Sequence, residues 1–410
     1  MLRNLFTIII FLSTFIGGMQ AQNTCVIKGH ILQNKLRFTN KLVKKVYLTK
    51  MDEYDRFIKV DSVSVKKGAF EFNRMLQKDE PTLLYFITGF DNGEVAFFME
   101  PGIVRIEIKD AAFPGGGTVS GTATNQLYNE YKAIATRCTQ EQTDSLAVLK
   151  KEHGEEWMDT AEGKESWNRI GAAALINCTA ERIQFVLNHN DSPLSPLMME
   201  REIYPTLGKR STEIMLKALS PDLKNHPYYI SFNNIVRSLD LKVGNELPDI
   251  TIPLPDGTTT SLSKFRGKYV LLDFWASWCA PCMREIPYLL QVYNETKDKQ
   301  DKFVMISFSL DNKEQAWQDA IKTKEIGKEG WIHGSDLLGW KSPVAQLMGV
   351  TEIPKTILVD PEGRAISFSL RGEEMVRRIK QIMNGDLYYQ NAPKEPSEFE
   401  EKMKAIREAK

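Results

Sequence analysis

Two cysteines separated by two residues, Cys279-Ala280-Pro281-Cys282, are the part of this sequence whose types and spacing could do chemistry. A pair this close can open and close a disulfide, provided one thiol ionises readily. The segment leading into it, Tyr269-Val270-Leu271-Leu272-Asp273-Phe274-Trp275, is a nearly continuous apolar run and reads as a central strand. A short loop follows, and residues 281–297 read as a helix. The cysteines therefore fall at a helix N-terminus, where free N–H groups and roughly half a positive charge stabilise a thiolate. Cys279 comes first, is expected to be exposed, and is the expected nucleophile. Cys282, one helical turn on, can reach back and attack the mixed disulfide that Cys279 forms.

Asp273 is the third candidate. A carboxyl inside an apolar strand is expected to be buried, and burial raises its pKa. Such a group near the cysteines can take the proton from Cys282 as that thiol attacks.

The elements that must position these residues alternate along residues 243–385. Strands are expected at 268–275, 303–310, 356–359 and 365–370, with helices at 281–297, 315–322 and 373–383. This alternation implies an α/β sheet. Ahead of it lie two other regions. Residues 25–121 hold short strand-like runs separated by turn residues such as Lys67-Gly68, Asp91-Asn92-Gly93 and Pro101-Gly102. In Val104-Arg105-Ile106-Glu107-Ile108 apolar and charged residues alternate, and the pattern as a whole argues for a β-sandwich. From 122 to 241 the period becomes helical. Leu127, Tyr131, Ile134 and Cys138 form one expected buried stripe, and Ile176, Ala180, Ile183 and Leu187 another. Residues 141–166 are mostly polar and read as an exposed helix or loop. The expected architecture is multidomain: a β-sandwich-like domain at 22–121, a helical region at 122–241, an α/β domain at 242–385, and a charged tail at 386–410.

The first 21 residues read as a signal peptide. Arg3 supplies the basic start, residues 5–16 are apolar, and Met19-Gln20-Ala21 ends on a small residue. An apolar run of about a dozen residues is too short for a bilayer, which needs ~20 helical residues. The expected product is an exported protein beginning near Gln22, in the periplasm or cell envelope, where thiols meet an oxidising compartment. Of the other cysteines, Cys25 stands alone. Cys138 and Cys178 lie on separate expected helices and can either pair or pack as buried thiols.

The 410-residue chain carries 53 Lys plus Arg against 53 Asp plus Glu. A net charge of zero gives no electrostatic case for nucleic acid or an anionic membrane surface.

Phe274-Trp275-Ala276-Ser277-Trp278-Cys279-Ala280-Pro281-Cys282 resembles the active site of thioredoxin, and its context resembles the TlpA/ResA group of exported thioredoxin-like oxidoreductases. Asp273 matches the buried aspartate of that fold, Pro287 the proline that kinks its active-site helix, and Ile353-Pro354 its cis-proline dipeptide. Pro248-Asp249-Ile250 and Ser261-Leu262-Ser263-Lys264-Phe265-Arg266-Gly267-Lys268 resemble the group's lead-in, which peroxiredoxins share. The resemblance implies a thioredoxin-like domain with Cys279, Cys282 and Asp273 as catalytic groups. It also implies substrate contacts from Trp278, Ala280, Pro281, Ile353 and Pro354. A cis bond at Pro354 would expose the Ile353 backbone to pair with a substrate's extended chain beside Cys279. No cofactor beyond the Cys279–Cys282 disulfide is implied. The implied partners are disulfide-bonded envelope proteins and a membrane electron carrier of the thiol-reducing type. The chain departs from thioredoxin in Ala280, in Lys355 after the proline, and in an added segment at 312–350. In the first half, Asp61-Ser62, Phe97-Phe98-Met99-Glu100-Pro101-Gly102 and Val119-Ser120-Gly121-Thr122 resemble an accessory region found ahead of such domains in some bacterial chains.

Other readings are weaker. Zinc needs two further ligands beside a Cys-x-x-Cys pair, and the five histidines are scattered. A peroxidase of the peroxiredoxin type would place a proline and a threonine ahead of its cysteine to activate the peroxide, and no such arrangement precedes Cys279. The first half could itself be a binding module that recruits a partner. The same cysteine pair could also oxidise or isomerise disulfides; the buried aspartate and the proline-containing dipeptide resemble reductases more.

Overall fold

The computed structural model describes residues 23–51 and 56–390. The expected signal peptide and all but the first five residues of the charged tail lie outside the described residues. The chain divides into two compact units, one ending at Val236 and one beginning at Arg237.

In the first unit, one sheet is built from β1 (Thr24–Gln33), β4 (Ala69–Met75), β7 (Gly102–Asp110) and β8 (Thr118–Ser120), in the order β4-β1-β7-β8. A second sheet is built from β2 (Lys45–Met51), β3 (Phe57–Ser64), β5 (Leu83–Thr88) and β6 (Val95–Met99), in the order β3-β2-β5-β6. Ile27, Phe72, Val104 and Val119 from the first sheet share one core with Val46, Leu48, Ile87 and Phe97 from the second. The alternating run at 104–108 behaves as its pattern requires: Val104, Ile106 and Ile108 are buried, and Arg105 and Glu107 are exposed.

The near-continuous apolar runs of β5 and β6 have a different cause. Their other face, Leu84, Phe86 and Phe98, is also buried, against Tyr131, Ile134 and Cys138 of α1 (Ala123–His153) and Val186 of α2 (Ala161–Asn188). The helical region is thus a third layer on the second sheet, inside the same unit. The accessory-region motif forms the joint. The Glu100 carboxylate accepts from the backbone N–H groups of Thr124 (3.0 Å) and Asn125 (3.3 Å) at the start of α1. The Asn125 side chain accepts from the Phe98 N–H (2.7 Å) and donates to the Phe98 carbonyl (2.8 Å). Gly121, at φ 99°, is required there, because a Cβ would lie 2.1 Å from the Ile103 carbonyl oxygen.

Cys138 and Cys178 form a disulfide that ties α1 to α2. One expected stripe holds only in its second half. Ile183 and Leu187 are partly buried and pack on the core, whereas Ile176 is 67% exposed and Ala180 is exposed as well, and Ala174 and Cys178 take the inward positions there. An alanine-rich helix has little amphipathic contrast, so the disulfide and the aromatic Phe185 settle which face turns inward. The polar stretch at 141–166 is helical to His153 and again from Ala161, with a short 3-10 turn at Glu155–Asp159 between.

The second unit has a five-stranded sheet in the order β13-β12-β11-β14-β15, made of β11 (Tyr269–Trp275), β12 (Phe303–Ser309), β13 (Trp331–Gly334), β14 (Lys355–Val359) and β15 (Ala365–Ser367). A hairpin of β9 (Thr251–Pro253) and β10 (Thr259–Ser261) precedes it. β11 and β12 are parallel, β12 and β13 are parallel, and β14 runs antiparallel to β11. In chain order the helices after α2 are α3 (Leu194–Met198), α4 (Lys209–Ala218), α5 (Pro227–Ser238), α6 (Ala280–Thr296), α7 (Glu314–Thr323), α8 (Pro343–Leu347) and α9 (Gly372–Met383). β11 is central and buried on both faces, as its unbroken apolar run requires. The added segment at 312–350 contains α7, α8 and the edge strand β13.

Candidate active site

β11 delivers the chain to the active loop, and α6 starts immediately after it. Cys279 is the N-cap of α6, and its Sγ accepts from the Cys282 N–H at 3.1 Å. Cys279 and Cys282 are joined in a disulfide with a Cα separation of 5.2 Å. Cys279 is only 4% exposed, against the expectation of an exposed nucleophile. Its sulfur is bonded to the buried Cys282, and the exposed flank is supplied by Trp278, at 49% exposed, Ala280 and Pro281. Pro287 lies inside α6, one turn beyond Met283.

The loop between strand and helix is fastened from below. Asp311 is buried just past β12; its carboxylate accepts from the Ser277 N–H (2.8 Å), the Ser277 hydroxyl (2.6 Å) and the Ser309 hydroxyl (2.6 Å). The Leu310 N–H donates to the Trp275 carbonyl at 2.8 Å. These bonds fix the approach to Cys279 through groups that the sequence reading did not single out.

Asp273 is buried, as its apolar setting requires. Burial pushes its carboxyl up to about 7, the Ser307 hydroxyl draws it back, and the charge of Glu285 adds to the rise. Ser307 donates to Asp273 Oδ2 at 3.0 Å, and Trp331 Nε1 donates to Ser307 Oγ at 3.0 Å. Glu285 sits on α6 three residues beyond Cys282. Glu285 also accepts from the Gly372 N–H at 2.8 Å, at the start of α9.

Ile353–Pro354 is a cis peptide. β14 pairs with β11 through Asp273↔Thr356 and Phe274↔Lys355, so the same register carries Pro354 and Ile353 to the end of β11 where the active loop begins. Pro354 is buried, and Ile353 packs against the core that includes both cysteines. Arg371 holds this turn by donating to the Pro354 carbonyl and lies 3.8 Å from Glu352. Burial lowers the pKa of Lys355, the residue that departs from thioredoxin. On the added segment, the Trp340 ring lies 6.5 Å from that of Trp278, with Leu338 exposed nearby in sequence. The sequence reading did not single out Asp311, Ser307 or Glu285, and it took in Trp331 and Trp340 only as part of the added segment at 312–350. Glu285 is the one with a sequence signal, a carboxylate one helical turn from a cysteine.

Comparison with known proteins covers both units. The Redoxin family matches residues 242–380, and a domain of unknown function, DUF4369, matches residues 25–128. ResA, a thiol-disulfide oxidoreductase of Bacillus thuringiensis, is 27% identical over 151 residues, 35% of this chain and 78% of that one. The Bacillus subtilis ResA is 26% identical over 123 residues, 30% of this chain and 64% of that one. Among solved structures, the thioredoxin domain of a thiol-disulfide oxidoreductase from Bacteroides vulgatus is 34% identical, with 35% of this chain covering 99% of that domain at a TM-score of 0.31. The central strand that carries Asp273, the disulfide at the helix N-cap and the cis-proline turn at one sheet end agree with the Redoxin and ResA matches. Residues 242–380 thus form a Redoxin-family domain of the TlpA/ResA-like thiol-disulfide oxidoreductase type, and a DUF4369 region lies ahead of it.

Proposed function

We propose that this oxidoreductase is exported and reduces disulfides in proteins of the cell envelope, with cysteines awaiting haem attachment among its substrates. The observation that carries the reading is the pairing of an N-capped Cys279 with a buried Asp273 whose carboxyl stands near neutrality. In the reduced enzyme, the Cys279 thiolate attacks one sulfur of a substrate disulfide. A Cys279–substrate bond forms, and the first substrate thiolate leaves. Cys282 gives its proton to the Asp273 carboxylate and attacks the Cys279 sulfur. The Cys279–Cys282 bond closes, and the second substrate thiolate leaves with its electron pair; both thiolates take up protons. Two electrons pass to the substrate from the cysteine pair, and Asp273 handles the proton of Cys282. A membrane carrier of the thiol-reducing type would return the pair to its dithiol form.

Ile353, ahead of the cis bond, offers its backbone to the substrate's extended chain. Trp278, Ala280 and Pro281 form the exposed rim around the sulfurs. Trapping with Cys282→Ser is the test: envelope proteins should accumulate in mixed disulfide with Cys279, and an empty trap would overturn the mechanism. The reduction potential tests direction. A value near about −270 mV fits a reductase, and one near about −120 mV would make the chain a disulfide donor.

A further inference from the structure

The buried carboxyl at Asp273 has an unusual neighbourhood. Each element packed around it brings a candidate partner. β14 brings Thr356 and β12 brings Ser307 in register with Asp273, β13 sets Trp331 and His333 against Ser307, and Glu285 of α6 adds its charge. Thr356 is committed elsewhere, since its hydroxyl donates to the Leu370 carbonyl. Glu285 repels a carboxylate. His333 lies beside Ser307 in register, but burial lowers its pKa to about 4, and its Nε2 is paired with the Ile326 carbonyl at 2.9 Å. It is therefore a neutral ring that donates away from the site. Ser307, the register partner of Asp273 across the parallel strands, is left as the hydrogen-bond donor.

A serine hydroxyl has one proton and two lone pairs, and can serve a carboxyl as donor or as acceptor. Trp331 biases the choice. An indole N–H only donates, so it occupies a lone pair of Ser307 Oγ and leaves the hydroxyl proton for Asp273 Oδ2. A donor polarised in this way binds the charged form of the acceptor more strongly. The Trp331 ring is itself held, stacked between Tyr293 (5.9 Å) and His333 (5.3 Å). Trp331, Ser307 and Asp273 are all buried, so water does not compete for these bonds.

We propose that Trp331 and Ser307 are positioning residues for the redox step: Trp331, reaching in from the added segment, holds Ser307 as a donor to Asp273 and so keeps that carboxylate available to take the proton of Cys282. The edge strand β13 thereby acts on proton transfer at the cysteines without touching them. The inference rests on the reading of Asp273 as proton acceptor, and its test separates the two.

The full chain, reduced and labelled with 13C at the aspartate carboxyl carbons, is titrated, and the Asp273 signal is assigned by its loss in Asp273→Asn. The pH profile of mixed-disulfide resolution is measured alongside. Ser307→Ala should move the carboxyl midpoint up by about one pH unit, and Trp331→Phe, which keeps a stacking ring, should move it the same way by less. Ser307→Thr, which keeps the hydroxyl, should restore the native midpoint. The resolution profile should follow, with rates at neutral pH reduced severalfold and recovered above about pH 8.5. If Ser307→Ala does not fold, Trp331→Phe and Ser307→Thr still decide. An unmoved midpoint in Trp331→Phe overturns the proposal. A midpoint that moves while the resolution profile stays fixed upholds the hydrogen-bond chain and removes Asp273 from the mechanism.

Discussion

The first unit and the second each hold one disulfide, and the two bonds have opposite surroundings. Cys279–Cys282 spans three residues at a helix N-cap, with a carboxyl of raised pKa in the preceding strand. Cys138–Cys178 spans 40 residues and joins the middles of two long helices, far along the chain from either helix N-terminus. The same covalent bond therefore serves two purposes. At the N-cap, unpaired N–H groups stabilise a departing thiolate and so favour opening. In mid-helix every backbone N–H is already used, and the bond's main effect is to restrict the unfolded chain. Reactivity comes from the helix end and the acid; stabilisation comes from the length of chain enclosed.

The largest effect follows directly. Cys279→Ser should abolish disulfide reduction, whereas Cys138→Ser with Cys178→Ser should leave turnover of the same substrate unchanged. A double variant of the first unit that lost turnover would mean that its disulfide takes part in the reaction, and the comparison would fail.

Asp273→Asn is the next test. At pH 7 the resolving step should slow by roughly 10²-fold, the scale of a lost general base. Stability should change in the other direction. Below about pH 4 the carboxyl is neutral in both folded and unfolded chains. As pH rises, the unfolded chain ionises freely, while the folded one resists up to about 7. Native Asp273 therefore costs stability progressively between those values, on the order of 4 kcal/mol above them. The asparagine variant should gain stability over the native enzyme as pH rises from 4 to 8, up to that limit. Equal pH slopes for the two proteins in chemical denaturation would show that Asp273 is not ionised against its surroundings.

Much of this site was legible in the sequence, and the reason is local. Cys279, Cys282, Asp273 and Pro281 lie on one strand-loop-helix segment whose apolar run and helical start are readable without tertiary information. Ser307, Trp331 and Asp311 were not legible, because they act across parallel strands whose register follows from packing rather than from neighbours in the chain. The same distinction holds in the first unit. The alternation at 104–108 fixed its buried face, whereas the parallel pairing of β1 with β7 has no local signal. On α2, alanine and apolar residues on several faces gave a periodicity that the structure uses only at Ile183 and Leu187.

The stabilising side of the comparison is tested on a background of Cys279→Ser with Cys282→Ser, where a reductant acts only on Cys138–Cys178. Opening a loop of 40 residues should cost the first unit about 4 kcal/mol, against about 1.6 kcal/mol for a loop of three. Denaturation with and without reductant measures the difference. No shift would mean that packing between α1 and α2 already restricts the chain as far as the bond does.

The smallest effect concerns the loop that leads to the reactive bond. Asp311 is buried and takes three hydrogen bonds, two of them from Ser277. Ser277→Ala removes one donor and should cost about 1 kcal/mol; Asp311→Asn replaces a charged acceptor by an amide that cannot accept at both oxygens, and should cost about 2–3 kcal/mol. Because these bonds fasten the chain two residues before Cys279, backbone amide exchange at position 277 should accelerate in both variants, and resolution of the mixed disulfide should slow by severalfold in Asp311→Asn. The α1–α2 tie needs no such support, since its cysteines sit within helices whose own ladders hold them. If Asp311→Asn lost stability with unchanged resolution kinetics, the loop's fastening would belong to folding alone, and the reactive disulfide would owe its behaviour to the N-cap and Asp273 only.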